Sequence, residues 1–278
     1  MIRQGFYIAI LSFFTLFYSC GQHNSTNNGN EIDSVSYKKD SLISMSDTSQ
    51  KMDDSVTDSA KYIQDLEKEA ETLQGIIVSN KAIIPGAHRY MDQNDKTSKM
   101  VNSDWLSIYL ENGQYKLGKQ DLAIQEKGED PCSGMDVEYI DTKLSSLLLV
   151  NIKNLAPHKL DTLALKHRVI QPNSPLKFQW KNQNYELVAT GRTFTEAYER
   201  SNEWYTLTIY KNVKKLRTLI IQNDYTDTLT SILLISDLDN DQIPDFIISS
   251  PRDYEEERIL IFISSDPKIY EAQRVFDC

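Results

Sequence analysis

The chain has 278 residues, and its 40 acidic against 30 basic side chains give a formal net charge of -10, which disfavours nucleic acid and anionic lipid surfaces as partners. Apolar residues make up 40% of it, enough for a sizeable core. No G-x-S-x-G elbow, H-E-x-x-H helix, C-x-x-C pair or glycine-rich phosphate loop occurs, and His88, His158 and His167 are too irregularly spaced for a zinc set.

Residues 1–19 read as a signal segment, with Arg3 in a short basic start, an apolar run from Phe6 to Phe17, and Ser19-Cys20 at its end. The apolar run is too short to span a bilayer comfortably. Leu16 and Ser19 ahead of Cys20 resemble a bacterial lipoprotein lipobox, although Phe17 and Tyr18 depart from its small or aliphatic pattern. The resemblance implies cleavage before Cys20, a lipid on that cysteine, and an extracytoplasmic protein anchored in the cell envelope, with the outer membrane as the expected address. The alternative is an ordinary secretory signal that leaves Cys20 as a thiol.

With Cys20 lipidated, Cys132 and Cys278 are left to pair in an oxidising compartment, which would tie the C-terminal strand to the middle of the domain. A loop of that length contributes up to about 4 to 5 kcal/mol on the chain-entropy model. Residues 20–58 are rich in Asn, Ser, Thr and Asp and cannot bury enough apolar area to order themselves; they read as a tether. A helix is predicted from Ser59 to Gln74, with Tyr62, Ile63, Leu66, Ala70 and Leu73 on one face and Gly75 as its stop. That face suits packing on the domain better than a coiled coil, because two heptads make a marginal seam.

From Gly75 onward the pattern is β. Asp104–Leu110 and Tyr115–Gly118 flank an Asn112-Gly113 pair, and Leu176–Trp180 and Tyr185–Ala189 repeat the plan. Further strands are predicted at Leu147–Ile152, Trp204–Tyr210 and Leu216–Gln222. The expected fold of residues 59–278 is mainly β: an antiparallel sandwich or open barrel with one N-terminal helix packed on it. Aromatics such as Trp105, Tyr109, Phe178 and Trp180 suit a half-buried pleated surface, and a glycan-stacking platform is the weaker reading. Lys211, Lys214, Lys215 and Arg217 read as a solvated basic hairpin.

The stretch that names a chemistry is Asp237-Leu238-Asp239-Asn240-Asp241-Gln242-Ile243-Pro244-Asp245, between Ser231–Ser236 and Phe246–Ser249, with a third strand at Arg258–Ser264. Carboxylates crowded into a tight loop repel one another, and a divalent cation holds them together. Calcium, with six to eight hard oxygen ligands, suits four aspartates plus the backbone carbonyl near Ile243, and Asp266 is a possible further oxygen. A solvated acidic turn is the bland alternative.

The loop resembles the D-x-D-G-D-G-x-x-D calcium loops of FG-GAP and thrombospondin type 3 repeats, and the signal with the last fifty residues resembles Bacteroidota-type lipoproteins carrying one such loop. The resemblance places Asp237, Asp239, Asp241 and Asp245 as ligands of a structural calcium ion, with Asn240 and Gln242 where the pattern has glycine. The whole then reads as a lipid-anchored, calcium-stabilised binding or envelope-structural module. An envelope hydrolase working through paired carboxylates is the alternative, with Asp253, Glu255, Glu256 and Glu257 as first suspects.

Overall fold

The computed structural model describes residues 51–191, 204–223 and 229–276. The signal segment, Cys20 and Cys278 lie outside them, as does most of the tether. Helix α1 runs Lys51–Gln74, so it starts inside the stretch read as tether rather than at Ser59. At its other end the Gly75 N–H bonds the Glu71 carbonyl at 3.0 Å and the Ile76 N–H bonds that of Leu73 at 3.1 Å.

The strands follow in chain order. They are β1 (Ile77–Val78), β2 (Ala82–Ile83), β3 (Gly86–Tyr90), β4 (Leu106–Glu111), β5 (Gln114–Gly118), β6 (Leu122–Glu129), β7 (Asp136–Thr142), β8 (Ser146–Val150) and β9 (His158–Lys159). After them come β10 (Leu176–Trp180), β11 (Gln183–Thr190), β12 (Tyr205–Lys211), β13 (Lys214–Gln222), β14 (Ser231–Ser236), β15 (Asp245–Ser249), β16 (Glu256–Phe262) and β17 (Ile269–Val275). The Asn112-Gly113 turn between β4 and β5 has φ of 52° and 76°, the left-handed pair that matches strand twist in a two-residue hairpin.

The strands build a layered sandwich, and among the described residues none of its sheets closes into a barrel. The central sheet has the order β1-β17-β16-β15-β14, antiparallel except for the β1–β17 pair. One of its faces, with Ile235, Phe246, Ile248, Leu260 and Phe262, packs on the sheet β10-β11-β12-β13. The other, with Leu234, Ile247, Ile259, Ile261 and Tyr270, packs on the sheet β2-β8-β4-β5-β9. A last sheet, β3-β7-β6, lies behind that one through Ile140, Leu149 and Trp105.

Burial on both faces explains the unbroken apolar runs of β14 to β16, since a strand covered on both sides has no solvent face to spend polar residues on. A bulge between Ile232 and Leu234 turns both Leu233 and Leu234 toward the same core. Helix α1 lies on β13, where the Thr218 hydroxyl donates to Glu69 and Leu66 and Leu73 are covered. Tyr62 and Ile63 of its predicted apolar face are exposed. Among the described residues no helix is long and apolar enough to cross a membrane.

Two glycines have no room for a side chain unless a neighbour shifts: at Gly191, φ 115°, a Cβ would lie 2.6 Å from the Trp204 carbonyl oxygen. Gly86 opens β3 at φ 130°, and a Cβ there would lie 2.1 Å from Arg274 Nη1, whose guanidinium donates to the Pro85 carbonyl at 3.2 Å.

Candidate cation loop

The acidic loop joins two strands of the central sheet, with Ser236 opposite Asp245 at its base. Oxygens of Asp237, Asp239 and Asp245 all lie within 4.8 Å of one another. Asp237 and Asp245 are buried, Asp239 is half-buried, and Asp241 is exposed. Backbone amides organise the cluster. Asp237 accepts from the Asp241 and Gln242 N–H groups, each at 2.9 Å, and Asp245 accepts from Leu238 and Ser264 N–H, each at 2.6 Å.

Asp241 stands apart from the trio. It accepts from the Ile243 N–H and the Ser264 hydroxyl, both at 2.7 Å. Ile243 turns its side chain outward, half-exposed beside an apolar cavity. Asp266 is also directed elsewhere, accepting from the Tyr270 hydroxyl at 2.6 Å and the Lys268 N–H at 2.9 Å. Ser265, next to it, is the residue that donates to Asp239.

Asn240 and Gln242 have φ of 62° and 71°, the left-handed region in which the resembling loops carry glycine. The loop therefore has the turn geometry of that pattern without its glycines. The Gln242 backbone is held on both sides, its N–H by Asp237 and its carbonyl by the Trp180 indole at 3.1 Å. A left-handed non-glycine residue costs about 1–2 kcal/mol. Gln242→Gly is expected to raise stability by about 0.5–1 kcal/mol, the extra chain entropy of glycine offsetting part of the relief. Urea unfolding measures it, and an unchanged or lower midpoint would show that the position is unstrained.

Electrostatics leaves the loop short of positive charge. Among the described residues no Lys, Arg or His forms an ion pair with any of the four aspartates; Lys181, whose charge is felt at Asp237, pairs with Asp161 at 2.7 Å. His158 Nε2 lies 3.1 Å from the Asp237 carbonyl, not from its carboxylate. Burial pushes the Asp245 carboxyl up to about 8, against the pull of the Ser264 and Leu238 amides, and the charges of Asp239 and Asp241 add to the rise. Three carboxylates held this close offer hard oxygens suited to calcium or a similar cation.

The residues at the loop that sequence reasoning missed are His158, Trp180, Ser264 and Ser265. A signal existed for Ser264. Phe246 pairs with Phe262 in antiparallel register, so continuing the ladder brings Ser264 beside the start of β15.

Three of the four carboxylates suspected of hydrolytic work accept hydrogen bonds from neighbouring residues. Glu256 is clamped by the Arg252 guanidinium and N–H, Glu257 accepts from Arg274 at 2.6 Å, and Asp253 caps the Glu255 N–H at 3.0 Å. Comparison of the chain with protein-family models, curated proteins and solved structures finds no match in any of the three.

Proposed function

We propose that this protein is a lipid-anchored, extracytoplasmic β-domain stabilised by calcium and acting as a binding or envelope-structural module. The observation that carries the reading is the convergence of Asp237, Asp239 and Asp245 to within 4.8 Å, with no ion pair from a Lys, Arg or His among the described residues to any of them. Asp241 and the Ile243 carbonyl are the further ligands proposed for the same ion. The ion's part is structural. It would join β14 to β15 across the loop and lower the cost of burying Asp245 beside two other carboxylates.

The membrane part of the proposal rests on the signal segment and on a lipid at Cys20, and a bridge between Cys132 and Cys278 belongs to the same proposal. Together they describe a domain held on a tether outside the cytoplasm, where calcium is plentiful and thiols oxidise.

Terbium luminescence tests the ion site. Trp180, whose indole bonds the Gln242 carbonyl, is placed to sensitise a lanthanide in the loop. Excitation of tryptophan should give terbium emission that calcium competes away and that Asp239→Asn abolishes. Emission unaffected by the substitution would move the ion elsewhere and remove the basis of the proposal.

A further inference from the structure

Beside the acidic loop, at the open end of the gap between the central sheet and the sheet β10-β11-β12-β13, lies a cavity of about 310 Å³. Its floor is Phe246 and Phe262, both buried, and its mouth is flanked by Leu216 and Ile243, which are 48% and 40% exposed. Size and lining are those of a site for a small, largely apolar molecule.

Two cations reach into this gap from the rows that elsewhere form the core. Along β12 the alternating residues Tyr205, Leu207 and Ile209 face the central sheet, and Lys211 takes the next place in that row. On β13, Arg217 follows Leu219 in the same way. Lys211 Nζ stands 5.6 Å from the centre of the Tyr185 ring and the Arg217 guanidinium 5.7 Å from that of Phe262. Arg217 otherwise donates to the carbonyls of Asp266 and Pro267, at 3.3 and 3.2 Å. Among the described residues no carboxylate forms an ion pair with either cation. Burial also pulls the Arg217 guanidinium below its ordinary value.

Aromatic faces hold both charges at the mouth of an apolar cavity without an ion pair, although the Asp266 charge is felt at Arg217, in a chain whose net charge is -10. We propose that this cavity binds a free, single-chain anionic amphiphile, its apolar part on Phe246 and Phe262 and its carboxylate between Lys211 and Arg217. A neutral apolar ligand would leave both cations unpaired, and a cationic one would be repelled. The inference deepens the binding-module reading by naming a ligand class, and rests on that reading. No loop aspartate lines the cavity, but Ile243, whose carbonyl is a proposed ligand of the ion, and Pro244 do, so the two sites adjoin and ligand binding is measured both with and without calcium.

Titration calorimetry of the full chain with decanoate tests the proposal, below the concentrations at which decanoate forms micelles or calcium salts, and with calcium or a chelator present. Saturable one-to-one binding is expected, with decanol, the same chain without the charge, weaker by about tenfold or more. Lys211→Gln should weaken decanoate by about tenfold without moving the melting temperature, and Lys211→Arg should restore it to within about threefold. Soluble dihexanoyl phosphatidylglycerol, too large for the cavity, should not compete. Equal binding of decanol, indifference to Lys211→Gln, competition by the phospholipid, or no saturable binding would each overturn the assignment. Loss of decanoate binding alongside an intact response to calcium would refute the pocket alone, and the reverse would refute the ion site alone.

Discussion

Glu271→Gln is expected to lower the unfolding free energy by about 3–5 kcal/mol, because it leaves the Arg258 charge buried without its partner. Arg258 and Glu271 meet at 2.6 Å across β16 and β17, with side chains only 8% and 9% exposed. The Ser79 hydroxyl donates to the other Glu271 oxygen at 2.9 Å, and Arg258 also reaches the Ser250 carbonyl at 3.4 Å, so both ions are supplied with hydrogen bonds. Burial, the largest single effect, would raise the Glu271 carboxyl, but the hydrogen bond and charge of Arg258, the Ser79 hydroxyl and the Arg252 charge together outweigh it and hold the group below its ordinary value of 4.5. A depressed carboxylate contributes stability above its unfolded pKa and loses it as pH falls through the folded value. The pair should therefore weaken only below pH 4.5, and Glu271→Gln should flatten the acid limb of the stability profile. Replacing both ions, as in Arg258→Met with Glu271→Leu, should recover most of the loss, since an apolar pair needs no desolvation of charge. A double variant as unstable as the single one would show that packing around the pair, rather than the orphaned charge, sets the cost.

Phe262→Ala is expected to cost about 3–5 kcal/mol. The ring is among the largest fully buried side chains, on the face of the central sheet that meets β10 to β13. Its removal deletes apolar burial and leaves a hole bounded by a β-sheet on either side, which cannot collapse without moving the strands. Urea unfolding reads the loss. A cost below about 1.5 kcal/mol would indicate that the two layers close up, contrary to a rigid sandwich.

What was legible in the sequence was local. The Asn112-Gly113 hairpin, the strands at Tyr185–Ala189 and Trp204–Tyr210, and the acidic loop between two apolar runs each carry their signal within a dozen residues, and the structure has strands and turns there. The layering was less visible. An unbroken run such as Phe246-Ile-Ile is what a strand covered on both faces requires, yet the run alone does not say which sheets cover it. Strand β6 went unread because its exposed Gln125-Glu126-Lys127-Gly128 stretch lacks apolar alternation and is held by β7 instead.

At the site, the four aspartates were readable from spacing, while their differing roles needed the fold. Asp245 is buried and takes two amides, whereas Asp241 is exposed and bonded to Ser264. The basic run at residues 211–217 shows the same limit. Composition makes it a uniformly solvated hairpin, but the register shift between Ile209 and Tyr210 and strand alternation place Lys211 and Arg217 on the cavity, while Lys215 reaches Glu69 of the helix.

The central claim is that an ion in this loop is part of the folded state. Thermal unfolding of residues 49–278, a compact unit, with calcium or a chelator and with Asp239→Asn alongside, tests it most directly. Binding to the native state alone stabilises by RT ln(1 + [L]/Kd), or about 2.7 kcal/mol when calcium is at a hundred times Kd. The account predicts that calcium raises the melting temperature of the wild type and leaves Asp239→Asn unmoved. A wild-type melting temperature that is the same in calcium and in chelator would contradict it and leave the loop as a solvated acidic turn.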